Sequence, residues 1–376
     1  VKFGFYSCMT GMPWGGSEEL WQRSAVVLLN RKHSVCVNYR HWPRKVTQLD
    51  RLASLGAMVH RRSYPNQIIN GWFGRKTEVP LDALADARQW LRATKPDYVL
   101  VTLGYHVDRL EIGDACREMG IPYSINVQCA SDHNFVNENW VDRFRVWYRS
   151  ADQVMVVSNE NLLKVETNIG AKLTNTVQID NPSKVTSDSE LAWPQTDELR
   201  MACVGRIHLQ SKGQDLIVRA LSKPIWKDRK WHVSFYGSNQ GNLKQLEALI
   251  ENSGVAEKFS IEGYSDVEEI WANNNALILG SRYEGAALVV VEAMRAGRAV
   301  IATDTGRNRE LVDHGETGFI ADAATIDLLE GAIDQAYNAR ERLQSMGEVA
   351  KKRILDRYPE SPEKDLADRL IERANQ

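Results

Sequence analysis

Cysteine is scarce in this 376-residue chain, and the five present, Cys8, Cys36, Cys116, Cys129 and Cys203, are widely spaced and never arranged as C-x-x-C. That odd count and spacing exclude a disulfide framework and a structural zinc site, and make a reducing cytosol the default. No stretch approaches the ~20 apolar residues of a membrane-spanning helix. No low-complexity tract or repeat of about 20 to 50 residues is present, which excludes a solenoid. The apolar opening, Val1 to Met9, has no basic leader, long apolar segment or small-residue cleavage site around it, so no secretory signal is expected. An overall excess of one charge is also missing, with 47 Lys+Arg against 49 Asp+Glu.

What is present is an ordinary soluble mixture, 43% hydrophobic and 26% charged, which leaves no room for a disordered or collagen-like chain. At about 100 to 200 residues per domain, the length implies two domains or three small ones. The near-neutral total hides an asymmetry: residues 1–95 carry 15 basic against 6 acidic side chains, and the remainder 32 against 43. One end of the chain is basic.

Short β-branched or aromatic runs alternate with amphipathic stretches, the pattern of parallel sheets covered by helices on both faces. Strands are predicted at Lys2–Met9, Ser34–Tyr39, Ala57–Arg62, Tyr98–Leu103, Pro122–Gln128 and Gln153–Ser158, with helices such as Glu18–Asn30, Leu81–Ala93 and Leu110–Met119 between them. Pro65 to Pro80 shows no clean period and reads as a loop. Around Asn181 to Thr196, Pro182 and Pro194 interrupt the pattern as a linker would. A second series follows, with strands at Met201–Arg206, His232–Gly237, Phe259–Gly263, Ala276–Gly280, Ala299–Thr303 and Gly318–Ala321, and helices at Gln214–Leu221, Leu243–Asn252, Ala286–Ala296 and Ile326–Asn338. Two helices, Gly347–Arg357 and Pro362–Arg373, close the chain. The expected organisation is a first domain at 1–180, a linker at 181–198, a second domain at 199–358, and a terminal helix at 359–376 that packs back on the first domain.

Two doubly wound domains place a ligand at the carboxyl ends of their strands. A dinucleotide dehydrogenase shares that class, but the first strand is followed by Thr10-Gly11-Met12-Pro13-Trp14-Gly15-Gly16 instead of G-x-G-x-x-G. The informative stretch runs from Ser281 to Gly297. A strand ends at Gly280, Gly285 permits a tight turn, and a helix is expected from Ala286, whose unpaired N–H groups would attract phosphate. Glu284 and Glu292, taken as one helical register, stand roughly 12 Å apart and within about 80° of one face. Carboxylates accept hydrogen bonds from hydroxyls, so the stretch offers the order sugar, diphosphate, ribose. The bland reading, two solvated glutamates, is strained at Glu292 because Leu288 to Val291 is apolar on all sides and a buried carboxylate needs partners. In Val204-Gly205-Arg206-Ile207-His208-Leu209-Gln210-Ser211-Lys212-Gly213-Gln214-Asp215, an Arg at a strand end and a Lys before a helix-opening Gly can converge on one anion.

The order G-R-x5-K-G, then Tyr236-Gly237 at a strand end, then E-x7-E followed by Ala293-Met294 and Gly297, strongly resembles family 4 of the retaining glycosyltransferases, which have the GT-B fold of two Rossmann-like domains facing across a cleft. The resemblance covers most of residues 200–340 and extends more weakly to Gly15-Gly16-Ser17-Glu18. It implies that Arg206 and Lys212 hold the donor diphosphate, that Glu284 contacts the transferred sugar and Glu292 the ribose, and that Gly285, Ala286, Ala287 and Leu288 supply backbone amides to sugar and phosphate. Gly15 and Gly16 would form the first-domain loop facing the donor, where close backbone approach favours glycine. The family often places a His after the fifth strand of the first domain; His133 is the candidate here and His106 the second choice. Where the family continues with Gly-Gly and then Pro-Glu, this chain has Thr305-Gly306-Arg307-Asn308-Arg309-Glu310, so donor preference does not transfer through that loop. No D-x-D tripeptide is present, in line with a diphosphate managed by cationic side chains, no metal and no cofactor.

The resemblance implies a cytoplasmic enzyme moving a sugar from a UDP- or GDP-linked donor to an acceptor hydroxyl with retention of configuration, in polysaccharide, glycolipid or other glycoconjugate synthesis. A nucleotide-sugar epimerase or hydrolase on the same fold, and a noncatalytic nucleotide-sugar or carbohydrate-binding protein, remain alternatives. Residues 40–76 hold eight basic side chains (Arg40, Arg44, Lys45, Arg51, Arg61, Arg62, Arg75 and Lys76) against the single acid Asp50, with Trp42 and Trp72 among them. Such a stretch suits an anionic acceptor or peripheral contact with an anionic membrane. Nucleic acid fits less well, since the whole chain is near neutral and lacks a recognised binding motif.

Overall fold

The computed structural model describes residues 1–62, 82–108, 111–132, 134–186 and 191–376. The expected loop at 65–80, with Trp72, Arg75 and Lys76, and the candidate His133 lie outside the described residues. The chain divides into two compact units, residues 1–182 with 361–376 and residues 183–360.

Unit 1 runs β1 (Lys2–Ser7), α1 (Gly16–Asn30), β2 (Ser34–Arg40), α2 (Thr47–Ser54), β3 (Met58–Arg62), α3 (Asp82–Thr94), β4 (Tyr98–Leu103), α4 (Glu111–Glu118), β5 (Tyr123–Val127), α5 (Val141–Ser150), β6 (Gln153–Val156), α6 (Asn159–Ile169) and β7 (Thr176–Gln178). Its sheet has the order β3-β2-β1-β4-β5-β6-β7. Phe3 of β1 lies beside Val35 of β2 on one side and Tyr98 of β4 on the other, both parallel. Buried residues such as Val99, Val101, Ile125 and Val154 pack under Trp90 and Trp147 to form its core.

Unit 2 continues with β8 (Leu199–Val204), α7 (Leu209–Lys212), α8 (Gln214–Leu221), β9 (Trp231–Tyr236), α9 (Leu243–Glu251), β10 (Phe259–Gly263), α10 (Val267–Asn273), β11 (Ala276–Leu279), α11 (Leu288–Arg295), β12 (Ala299–Thr303), α12 (Asn308–Leu311), β13 (Gly318–Ala321), α13 (Ile326–Asn338) and α14 (Leu343–Arg357). The sheet order is β10-β9-β8-β11-β12-β13. Alternation along each strand fills both faces. Leu199, Met201 and Cys203 of β8 enter one core with α8 and α13 residues, while Ala202 enters the other with α11 and α14 residues. Each fully buried large aliphatic side chain contributes about 1.5–3 kcal/mol against exposure.

Residues 183–186 and 191–198 are anchored within unit 2 by two buried arginines. Arg295 donates to Val185 O at 2.9 Å, and Arg298 donates to Ala192 O at 2.6 Å while lying 5.1 Å over the Trp193 ring. The final helix, α15 (Pro362–Ala374), packs on α1 within unit 1, where Arg31 pairs with Asp368.

The predicted strands are all present, several with displaced ends; β7, a three-residue strand of half-buried side chains, has no periodic signature. The helix expected from Ala286 begins instead at Leu288, because Ala287 is extended (φ −70°, ψ 97°) and caps it. Glu284 is therefore not on the helix that carries Glu292, and the helical spacing estimated between them does not hold.

Candidate functional site

In a doubly wound sheet the strand order reverses at one place, and the loops leaving the two flanking strands diverge there to open a crevice. In unit 2 this place lies between β8 and β11. Arg206 and Lys212 follow β8; Glu284 follows β11. Lys212 Nζ donates to Glu284 Oε1 at 2.6 Å, and Ser281 Oγ donates to the same oxygen at 2.7 Å. Both residues are largely shielded from water, which strengthens their attraction. Among the described residues Glu284 Oε2 takes no bond and the Arg206 guanidinium has no ion-pair partner. One acceptor and one forked cation are thus left uncommitted beside a preformed pair.

Neighbouring residues hold the two loops in register. Arg282 donates two bonds of 2.8 Å to Asp215 and one of 2.7 Å to Leu209 O, and its backbone N–H reaches Ser211 O. Gly213 turns the chain from α7 into α8 at φ 61°, and a Cβ there would lie 1.8 Å from Gly280 O. Glycine is required on both grounds. Gly306, also at φ 61°, approaches from the next loop, where a Cβ would lie 2.5 Å from Gly285 O and 2.9 Å from Glu284 Cβ. The Thr305–Glu310 segment thus supports the Glu284–Gly285 turn from behind. Arg307 pairs with Glu310, and Arg309 with Asp304 and Asp322.

Glu292 lies on α11, 8% exposed, beside the backbone N–H and side-chain charge of Lys184. Burial pushes its carboxyl above the usual range, against the opposing charge and amide of Lys184. Lys184 in turn lies 5.9 Å over the ring of Tyr264, an aromatic left exposed just beyond the end of β10. Gly285, Ala286 and Ala287 form the irregular turn between Glu284 and the first helical residue, Leu288.

In unit 1 the reversal lies between β1 and β4. Gly15 caps α1 and Gly16 is its first residue. At φ −149° Gly15 is extended, and a Cβ would meet only the flexible Met12 side chain at 3.1 Å. Local packing therefore does not demand glycine there. Three residues on, buried Glu18 accepts from Ser7 Oγ at 2.8 Å and Trp21 Nε1 at 2.9 Å, fastening the turn to the end of β1. Burial raises the Glu18 carboxyl to about 7. His106, after β4, is buried, and its backbone N–H donates to Cys129 O at 3.0 Å. The loops leaving β4 and β5 thus adjoin, and the His106 ring is enclosed and burial lowers its basicity.

Sequence reasoning assigned no role to Ser281, Arg282, Asp215 or Lys184. Ser281 and Asp215 were legible as polar residues within the two motifs, but nothing local marks them as partners of Glu284 and Arg282. Among the described residues no three His, Cys, Asp or Glu side chains converge as ligands for a metal ion, and no helix is long and apolar enough to cross a membrane.

Residues 189–353 match the family model described as Glycosyl transferases group 1. Among curated proteins, the lipopolysaccharide core biosynthesis mannosyltransferase LpcC of Rhizobium leguminosarum bv. viciae is 29% identical over 158 residues, 41% of this chain and 45% of that one. A GDP-mannose-dependent alpha-(1-6)-phosphatidylinositol monomannoside mannosyltransferase of Mycobacterium tuberculosis is 28% identical over 162 residues, 40% of this chain and 41% of that one. The matches thus span less than half of each relative. Among solved structures, Anabaena HepE in complex with UDP aligns with TM-score 0.76 and 16% identity over 99% of this chain and 100% of that one. The lipopolysaccharide outer core galactosyltransferase WaaB aligns with TM-score 0.73 and 16% identity over 99% and 100%. The shared fold is GT-B.

Proposed function

We propose that this chain, whose residues 189–353 match the group 1 glycosyl transferases, transfers a sugar from a nucleoside diphosphate donor to an acceptor hydroxyl, with retention of anomeric configuration. The observation that carries this reading is the convergence of Lys212 and Glu284, with an uncommitted Arg206, on the loops either side of the β8/β11 reversal. Charge accumulates on the leaving diphosphate as the sugar becomes oxocarbenium-like, and cations already in place stabilise it without reorganisation. Arg206 supplies a fork for phosphate oxygens, and Lys212 a point charge held by Glu284. Glu284 Oε2 accepts from a sugar hydroxyl, Glu292 from the ribose, and the 285–288 turn offers amides to the diphosphate. Retention rests on the family, in which the acceptor attacks on the leaving-group face and donor phosphate helps take its proton.

The curated relatives act in lipopolysaccharide core and phosphatidylinositol mannoside synthesis, which supports a glycan or glycolipid acceptor and a UDP- or GDP-linked donor. The basic stretch after β2 supports an anionic acceptor, with the enzyme in the cytoplasm or peripheral at its membrane face. The test is a thermal-shift screen of UDP, GDP and their sugars, followed by proton NMR of donor turnover. Stabilisation by one nucleotide and first release of the donor's own anomer are expected. Failure to bind any nucleotide overturns the reading, and conversion to an isomeric nucleotide sugar would favour an epimerase.

A further inference from the structure

Beyond the carboxyl end of β2, unit 1 forms a pocket of about 280 Å³ between segment 40–46, α2 and β3. Its wall carries Arg40, Arg44, Lys45 and Arg61 against one carboxylate, Asp50. Asp50 lies 2.6 Å from Arg61 and 3.3 Å from Lys45, and the bond from Arg61 holds its carboxyl below the usual range. It thus stays ionised and offsets one of the three charges of Arg44, Lys45 and Arg61. Arg40 donates to Thr10 O at 3.1 Å and stacks 4.7 Å from the centre of Trp42. Among the described residues the Arg44 side chain makes no ion pair, and the buried indole N–H of Trp42 has no acceptor.

A solvated basic surface does not require a concavity, a stacked guanidinium or a buried indole donor. A single carboxylate ligand would leave much of the charge uncompensated. A phosphate monoester brings nearly two charges and three acceptor oxygens, and arginine forks match phosphate geometry. Ligand pockets span about 300–1,000 Å³, so this one accommodates a head group better than an oligosaccharide. We propose that the pocket binds a phosphate ester carried by the acceptor, an assignment that rests on the glycosyltransferase reading above.

The experiment uses the full chain with saturating UDP, so that the donor side does not compete for phosphate. Binding is measured to glucose 6-phosphate, to glucose, and to phosphatidylcholine vesicles with and without phosphatidic acid, in the wild type and in the Arg44→Gln, Lys45→Gln double variant. The expected result is binding of the sugar phosphate or of the phosphatidic acid vesicles, whichever source the pocket accepts, weakened about tenfold or more in the double variant, with UDP affinity unchanged and glucose and neutral vesicles unbound. Wild-type indifference to both phosphate sources, or equal binding by the double variant, overturns the proposal. If UDP fails to bind while phosphate binding still depends on Arg44 and Lys45, the anion pocket stands and the glycosyltransferase reading falls.

Discussion

Lys212 and Glu284, 72 positions apart in sequence, share a 2.6 Å ion pair across the reversal point of the second sheet. A diphosphate reaching Lys212 therefore competes with Glu284 for the same ammonium. Glu284→Gln should leave UDP affinity unchanged or raised, because Lys212 is released, while donor turnover falls by roughly tenfold or more as the carboxylate contact to the sugar is lost. Lys212→Ala should weaken UDP, and the double substitution should be non-additive by about 0.5–3 kcal/mol. Calorimetry with UDP and donor kinetics on all three variants provide the check; additive losses would show that the pair is not an energetic unit.

Among the described residues Arg206 has no ion pair to break, so its charge is available at full value. Arg206→Ala should cost about 1.5–3 kcal/mol in UDP binding, with a larger loss in turnover. Arg206→Lys should restore affinity in part, since a point charge replaces a fork. Unchanged affinity and turnover in Arg206→Ala would remove it from the site.

Glu292 separates nucleotide from sugar. Glu292→Ala should weaken free UDP, in contrast to Glu284→Gln. Burial raises the Glu292 carboxyl, so it holds its proton to higher pH than an exposed glutamate. Nucleotide affinity should then climb with pH on the acidic side as the better acceptor forms, and Glu292→Gln should lack that climb. A titration of UDP affinity against pH in both proteins decides.

Glu18 sets a pH dependence of stability in unit 1. Its carboxyl is raised from 4.5 to about 7 in the folded state by burial, against the bonds from Ser7 and Trp21. Between these values the folded chain binds more protons than the unfolded one, so this contribution to stability is present in acid and is lost as pH rises through about 7. At about 1.4 kcal/mol per pKa unit, the loss is on the order of 3 kcal/mol. Glu18→Gln keeps an acceptor oxygen for Ser7 and Trp21 and should flatten this loss. Denaturant unfolding at pH 5 and pH 8 would show no difference between the proteins if the assignment were wrong.

Gly306→Ala should be more disruptive than a single methyl suggests. The left-handed conformation costs about 1–3 kcal/mol for a non-glycine residue, and the Cβ must displace the Glu284–Gly285 turn. A lowered melting temperature together with reduced donor turnover is expected. Normal turnover in a folded variant would mean that the turn relaxes without moving Glu284.

Much of this fold was legible because doubly wound sheets are built on continuous apolar runs. Tyr98–Leu103, Phe259–Gly263, Ala299–Thr303 and Gly318–Ala321 coincide with predicted strands. The start of α11 was not legible: Ala286 and Ala287 have good helix propensity, yet Ala287 is extended as the cap. The two sequence motifs identified Arg206, Lys212, Glu284 and Glu292, but one-dimensional spacing could not show that Lys212 and Glu284 touch. Arg295 and Arg298 were equally hidden. A basic residue at the end of an amphipathic helix ordinarily reads as solvated, whereas Arg298 is buried among the carbonyls of Trp271, Asn274, Ala296 and Ala192, and burial lowers its pKa to about 10.

The backbone contact between Gly213 and Gly280 limits how this half of the molecule can be redesigned. Two loops that meet main chain to main chain, with Arg282 tied to Ser211 and Asp215 across the seam, cannot be lengthened independently. Libraries that insert residues at 205–213 or 280–285 should yield mostly inactive clones, as should insertions at 239–241, where Gln240 N–H donates to Ile207 O, whereas insertions at the exposed turn 252–254, whose backbone bonds are local, should be tolerated. New donor preferences are then more accessible by exchanging side chains on loops of fixed length than by grafting longer loops.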